Sequence, residues 1–280
     1  MTKKKQRNNR LVFGVMIVLL LIYLLPFAMV LINSVKAKRD VITNPLSLIG
    51  EQGFYGKNYL LAMERMNFGQ VFFNSLIITI SSVLLIVLFS SMTAYFFTRN
   101  KWKINKFIFF LMVTSMVIPF QVLMIPIVSV YGNIFHILNS RATLICMHVG
   151  FGISMGTFLF HGAIVRSIPL ELEEAARMDG CGRLKTYFII VMPLLKPTVV
   201  TLVIIDALAI WNDYLLPSLI LSKKELYTLP IAAQSFHGDF SSDYGLMMAG
   251  LVMTVLPILI LYFALQKHII DGVVSGAVKG

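Results

Sequence analysis

Residues 165–197 read VRSIPLELEEAARMDGCGRLKTYFIIVMPLLKP, a charged stretch between two strongly apolar ones. Ser167 is placed to cap a helix N-terminus, and Pro169 suits its first turn. Glu171, Glu173 and Glu174 follow at the positive end of the helix dipole, where acids are favoured. Gly180 suits a left-handed C-terminal stop. The pattern predicts a short helix from Ile168 to Asp179, parted from the next by Gly180-Cys181-Gly182. Leu172, Ala175 and Ala176 fall on one face by i, i+3 and i+4 spacing. Small residues there leave a shallow surface that another protein can approach closely, or that can rest among lipid headgroups. Arg183 to Met192 turns from basic to apolar and runs into Pro193.

Outside this loop the chain is built for lipid. Of 280 residues, 58% are hydrophobic and 13% charged, against about half and a quarter in soluble domains. Unbroken runs of about twenty apolar residues are the length of a membrane-spanning helix. A barrel would show short alternating strands instead. The expectation is an all-α, polytopic membrane protein with six spans at roughly 11–33, 71–97, 107–130, 142–164, 198–221 and 245–266. The first follows Lys3, Lys4, Lys5, Arg7 and Arg10, as a signal peptide would. Its apolar run is about 34 Å of helix and has no small-residue cleavage site, so it reads as a retained anchor. Pro26, Pro119, Pro126, Pro217 and Pro257 interrupt spans and can kink them. Gly152-x-x-x-Gly156 permits close helix packing.

Charge sets the expected orientation. With the N-terminus inside, inner segments hold 16 of the 24 Lys and Arg and outer ones 8. That bias puts the N-terminus, the 165–197 loop and the C-terminus in the cytoplasm. The net charge of +11 is then loop charge, with no nucleic-acid partner expected. Residues 34–70 form the longest outer segment, with turns at Pro45, Gly50, Gly53 and Gly56 and a short helix over Asn58 to Met66. Cys146 and Cys181 carry neither a disulfide framework nor CxxC spacing. His148 and His161 are not spaced as metal ligands. No metal site and no catalytic constellation is expected. The chain contains no G-x-x-x-x-G-K-[ST] phosphate loop, so ATP hydrolysis by that route would need a partner.

The spacing Glu174-Ala175-Ala176, three residues, Gly180, nine residues, then Ile190-Val191-Met192-Pro193 resembles the cytoplasmic "EAA" loop of permease subunits in binding-protein-dependent ABC importers. Met192 stands where the family pattern has leucine. Asn74-Ser75-Leu76-Ile77-Ile78-Thr79, Gln121 between Pro119 and Pro126, Trp211-Asn212-Asp213, and the ending Gly276-Ala277-Val278-Lys279-Gly280 look like the carbohydrate branch. More narrowly, they are similar to the second permease subunit of maltose and multiple-sugar systems. The resemblance covers most of residues 11–280. It implies a type I ABC importer permease fold, in the cell membrane of a prokaryote, that translocates a sugar, an oligosaccharide by preference. It divides the chain into residues 1–69 (tail, first span and outer segment), a permease domain over 70–266 with its coupling loop at 165–197, and a cytoplasmic tail over 267–280. Its implied partners are a second homologous permease subunit, two ATPase subunits and an extracytoplasmic sugar-binding protein. ATP and Mg would sit on the ATPase, with no cofactor bound by this chain. Glu174, Ala175, Ala176, Asp179, Gly180 and Pro193 become the ATPase-coupling residues. The family ending also makes Gly276 and Lys279 a tail contact with the ATPase, and Gly272, Ser275, Gly276, Ala277 and Gly280 are expected to be too small and flexible for a helix of their own.

Candidate pathway residues are Gln121, Trp211, Asn212 and Asp213. Asn212 can bond a sugar hydroxyl or a neighbouring helix. Asp206 and Asp213 lie seven residues apart, near one helical face. Intramembrane acids usually face a bundle interior or a watery path. An ion-coupled secondary transporter would use these two acids as relays, but it would leave the 165–197 loop without a role.

Overall fold

The computed structural model describes residues 3–234, 236 and 243–277, with side chains over 12–234, 236 and 243–264. Among the described residues the only extended pairing is an isolated bridge between Gly50 and Gly53. The rest is helix and turn. In chain order the helices are α1 (Lys3–Ser34), α2 (Lys38–Thr43), α3 (Lys57–Met66), α4 (Phe68–Arg99), α5 (Lys103–Ser115), α6 (Phe120–Ile127), α7 (Arg141–Ser167) and α8 (Leu170–Met178). They continue with α9 (Arg183–Thr186), α10 (Met192–Leu194), α11 (Lys196–Trp211), α12 (Leu215–Ile220), α13 (Leu229–Gln234) and α14 (Tyr244–Ala277). Two wider π-helical turns lie at Val128–Ile134 and Tyr187–Val191.

Four helices are long and apolar enough to cross a bilayer: Val12–Ser34, Phe68–Arg99, Arg141–Ser167 and Tyr244–Ala264. Two bent helix pairs are together apolar and long enough for a broken span or a re-entrant loop. Lys103–Ser115 and Phe120–Ile134 meet at 97°, and Arg183–Leu194 meets Lys196–Trp211 at 75°. The expected single spans over 107–130 and 198–221 are each interrupted, as their prolines allow. The first bends at Pro119, an extended residue that caps α6 and disfavours helix in the residue before it. The second stops at Trp211. Asp213 then starts α12 by accepting the Leu216 N–H through Oδ1 at 3.4 Å. The chain also remains helical through Ala277, so the expected non-helical tail is corrected from Gly272 to Ala277. Lys279 and Gly280 lie outside the described residues.

By internal contacts the chain forms two compact units, residues 1–69 with 232–257, and residues 70–231 with 258–280. In the first, residues 12–28 of α1 are exposed throughout, as suits a helix apolar all round and surrounded by lipid. The segment that follows is tightly tied. Asn58 is buried, and its Nδ2 donates to the carbonyls of Ser34 at 2.9 Å and Lys36 at 2.8 Å. Gly245 packs directly on this pair, where a Cβ would lie 2.7 Å from the Lys36 carbonyl. The Lys36 ammonium is itself buried and donates to the carbonyls of Asn44 and Pro45 at 3.0 and 3.1 Å. Burial pushes its pKa down, partly offset by the Asp40 charge. The expected helix over 58–66 is present as α3, and it ends at Asn67 with a left-handed φ of 48°.

The second unit holds the loop. Its larger core joins Val83, Ile86, Val87 and Ala94 of α4 to Phe160 and Ile164 of α7 and to Leu202 and Ala207 of α11, with Tyr187 and Val191 from the π turn. Gly152 and Gly156 let α7 approach closely. A Cβ on Gly156 would lie 2.5 Å from Ser90 Oγ and 2.7 Å from Ser90 Cβ, while one on Gly152 would meet the Ile86 side chain, most closely its Cδ1 tip at 2.5 Å and then Cγ1 at 3.0 Å. A flexible tip can move, whereas a Cβ fixed to its backbone cannot. Gly156→Ala should therefore destabilise by about 1–3 kcal/mol, and Gly152→Ala by clearly less. Thermal unfolding of the purified protein checks this, and equal losses at the two positions would refute the packing account.

Candidate functional site: the α8 loop and its anchor

Glu173 lies in α8 with only 3% of its side chain exposed. A buried carboxylate is costly without partners, and Glu173 has them on the last turns of α4. Tyr95 Oη donates to Oε2 at 2.7 Å, and Arg99 Nε donates to Oε1 at 2.7 Å. Arg99 Nη2 stands 2.6 Å from Oε1 and also donates to the Ile168 carbonyl at 3.0 Å. The guanidinium lies 5.9 Å from the Tyr95 ring centre. One acid thus ties the short helix to the end of a span, and one arginine also satisfies the chain leading into it.

A second tie lies alongside. Tyr187 is 1% exposed, packs 5.4 Å from Tyr95 between ring centres, and exchanges a hydrogen bond with Ser91 at 2.6 Å. Its hydroxyl also reaches the Met192 thioether at 3.7 Å. Methionine in place of the family's leucine therefore supplies an acceptor that leucine lacks. Around these residues lies a cleft of about 540 Å³, with Arg177, Arg183 and Glu174 along its wall.

The loop geometry matches expectation in part. Gly180 has a φ of 81°, and Cys181 N–H donates to the Ala176 carbonyl at 2.9 Å, closing the helix end. The predicted start is corrected: Ser167 ends α7, and Pro169 caps α8 without a side-chain bond. The predicted face is corrected too. Ala175 and Leu172 are exposed with Met178, but Ala176 turns inward beside Glu173. Glu174, Asp179, Gly180 and Pro193 are exposed.

The expected pathway residues do not form one group. Gln121 is exposed in the first turn of α6, two residues past Pro119. Trp211 is 4% exposed and packs edge-on against Phe72 at 5.9 Å, so it is a core residue. Asn212 is exposed at the end of α11 with its Nδ2 bonded to the Leu208 carbonyl at 2.8 Å. Asp213 caps α12 as described. Asp206 and His148 are buried, and no group of three metal-binding side chains occurs among the described residues.

Sequence reading placed Glu173 in the first turn but missed Tyr95, Arg99, Ser91 and Tyr187. The available signal was one acid too many. Three acids crowd one helical turn, and Glu173 alone shares the i, i+3 face of Ala176.

Helical throughout its described residues save turns, with four long apolar helices and two bent apolar pairs and a charged helix anchored to the end of one of them, the chain is a polytopic membrane protein. The model of the "Binding-protein-dependent transport system inner membrane component" family matches residues 86–274, and the chain belongs to that family. It is 44% identical over 263 residues to the probable starch degradation products transport system permease protein AmyC of Thermoanaerobacterium thermosulfurigenes, covering 94% of each chain. It is 38% identical over 258 residues to the melibiose/raffinose/stachyose import permease protein MelC of Bacillus subtilis, covering 92% of each. A crystal structure of a bacterial ABC transporter involved in the import of the acidic polysaccharide alginate superposes with a TM-score of 0.78 at 19% identity. That match covers 95% of this chain and 98% of the other, and it shows a shared fold. The chain is an ABC importer permease, and the ion-coupled reading of Asp206 and Asp213 is set aside.

The anchor makes a direct prediction. Glu173→Leu strands Arg99 and should free α8. Trypsin cleavage after Arg177 or Arg183 should then rise on the order of tenfold or more, since losing one partner of a buried pair costs roughly 3–5 kcal/mol. Adding Arg99→Met should recover part of that loss, because no unpaired charge remains. Unchanged cleavage in Glu173→Leu would show that the pair does not hold the helix.

Proposed function

We propose that this chain is one of two homologous permease subunits of an ATP-driven importer that carries an oligosaccharide inward. Two ATPase subunits and an extracytoplasmic sugar-binding protein complete the assembly. The substrate class rests on the relatives, named for starch degradation products and for melibiose, raffinose and stachyose. The Lys and Arg bias supports a cytoplasmic α8 loop with both termini on the same side.

The observation that carries the mechanism is the two-sided character of α8. Its inner side is locked to α4 through Glu173, Arg99 and Tyr95. Its outer side offers Leu172, Ala175 and Met178 at i, i+3 and i+6, with Met178 88% exposed. An apolar knob of this kind fits a groove on a partner helix or sheet. When ATP closes the ATPase pair, a push on α8 passes through the buried ion pair into α4 as a rigid unit. Coupling of ATP to transport requires contact energies that differ between the two access states. Glu174, Asp179 and Gly180 shape the outer contour, and ATP with its Mg stays on the partner.

Two outcomes follow. Ala175→Trp should leave the amount of inserted protein unchanged and lower sugar uptake by about tenfold or more, since overpacking a fitted contact costs roughly 1–3 kcal/mol. Uptake assayed against expression level decides it, and normal uptake would defeat the docking role. Asn212 and Gln121, polar and exposed near span ends, are the best-placed residues for sugar hydroxyls. Asn212→Leu should lower uptake by about fivefold at equal complex yield, the worth of one hydrogen bond. A fall that only tracks yield would make Asn212 a packing residue.

A further inference from the structure

The corner between α4 and α5 holds a second cleft, of about 440 Å³, that transport leaves without a role. Its floor is aromatic. Phe109 stacks on His161 at 4.4 Å and 27°, and Phe97 meets Phe109 edge-on at 6.3 Å. Trp102, 59% exposed, stands at the rim with Lys101 and Lys106. The corner is held in shape by Asn105, which is buried and donates to the Asn100 carbonyl at 2.7 Å.

The charges here run against local preference. A helix N-terminus favours acids, yet the first turn of α5 contains none and is flanked or occupied by Lys101, Lys103 and Lys106. Its N-cap, Trp102, offers no side-chain bond. Nearby Arg99 is committed to Glu173, but among the described residues neither Lys101 nor Lys106 takes part in an ion pair. Unpaired cations at a dipole's positive end call for an anion. The aromatic floor and an exposed tryptophan at a span terminus belong to the membrane interface.

We propose that this cleft binds the phosphodiester headgroup of an anionic phospholipid, with Lys101 and Lys106 on the phosphate and Trp102, Phe97 and Phe109 against the glycerol and upper acyl chain. Basic pockets between spans are suited to such headgroups. The anion compensates the cationic first turn of α5, and the apolar floor separates a lipid from a soluble anion.

The test uses the transporter purified with its partners, in phosphatidylcholine nanodiscs doped with brominated phosphatidylglycerol. Trp102 emission is obtained as the difference between the native assembly and Trp102→Phe. Quenching should reach half its limit at a mole fraction about tenfold lower for brominated phosphatidylglycerol than for brominated phosphatidylcholine. Lys101→Gln with Lys106→Gln should raise the phosphatidylglycerol midpoint by about tenfold or more, and the paired Arg substitutions should leave it within about twofold. Equal quenching by the two lipids, or an unmoved midpoint in the Gln variant, overturns the proposal. Release of brominated phosphatidylglycerol by millimolar inorganic phosphate would make the site one for soluble anions and overturn the lipid assignment. Quenching that appears only after the ATPase is stripped away would place a protein partner on the cleft, with the same consequence.

Discussion

A carboxylate taken out of water must be met by donors, and Glu173 is met by three N–H and O–H groups from Arg99 and Tyr95. The position of α8 follows from that requirement. A nine-residue helix has little stability of its own, and α8 shows mostly exposed side chains. Its placement depends on one buried ion pair and on Ala176 beneath it. Removing either charge leaves the other buried and unpaired, which is the costly case. The same arginine binds the Ile168 carbonyl, so the entry to the helix and its body share one anchor. A helix held at its entry and its body by one arginine is the kind of link that the proposed transmission of force from an ATPase would need.

The anchor is useful only if α4 is stiff, and the packing around it supplies stiffness. Gly152 and Gly156 bring α7 against Ile86 and Ser90, and Leu202 of α11 closes the third side. In lipid, apolar burial gives helices little reason to associate, so close contact between small residues does most of the work. Gly156 meets Ser90 of α4 and Leu202 of α11 at once, so three helices pack closely around one small residue. The two bent helix pairs break at different places, one at Pro119 and one at Leu195 between Pro193 and Pro197, where the Leu195 N–H still donates to the Val191 and Met192 carbonyls.

Much of this was legible in the chain itself. Apolar run lengths announce the spans because a bilayer has a fixed thickness. Gly180 announces the helix stop because a left-handed residue is cheap only for glycine, and its φ of 81° agrees. The EAA spacing announces the family, since each of its positions answers a local backbone or surface demand. Gly152-x-x-x-Gly156 announces a close helix contact, though not with which helix.

What the chain alone left open depends on residues far apart in sequence. That Ala175 faces out while Ala176 faces in was hidden, because neighbouring small residues have the same local preferences and only the surface beneath chooses between them. That Glu173, among the three acids Glu171, Glu173 and Glu174, is the buried one depends on Arg99 and Tyr95 lying more than seventy residues away. Trp211 looked like a pathway residue beside Asn212 and proved to be core, because Phe72 covers it. How sharply the third and fifth spans are broken also escaped local reading. Proline permits a bend, but its angle is set by the packing of the flanking helices. Periodicity, run length and backbone conformation are local quantities and can be read in one dimension, whereas the choice of partner for a charge or a ring is made only when distant segments meet.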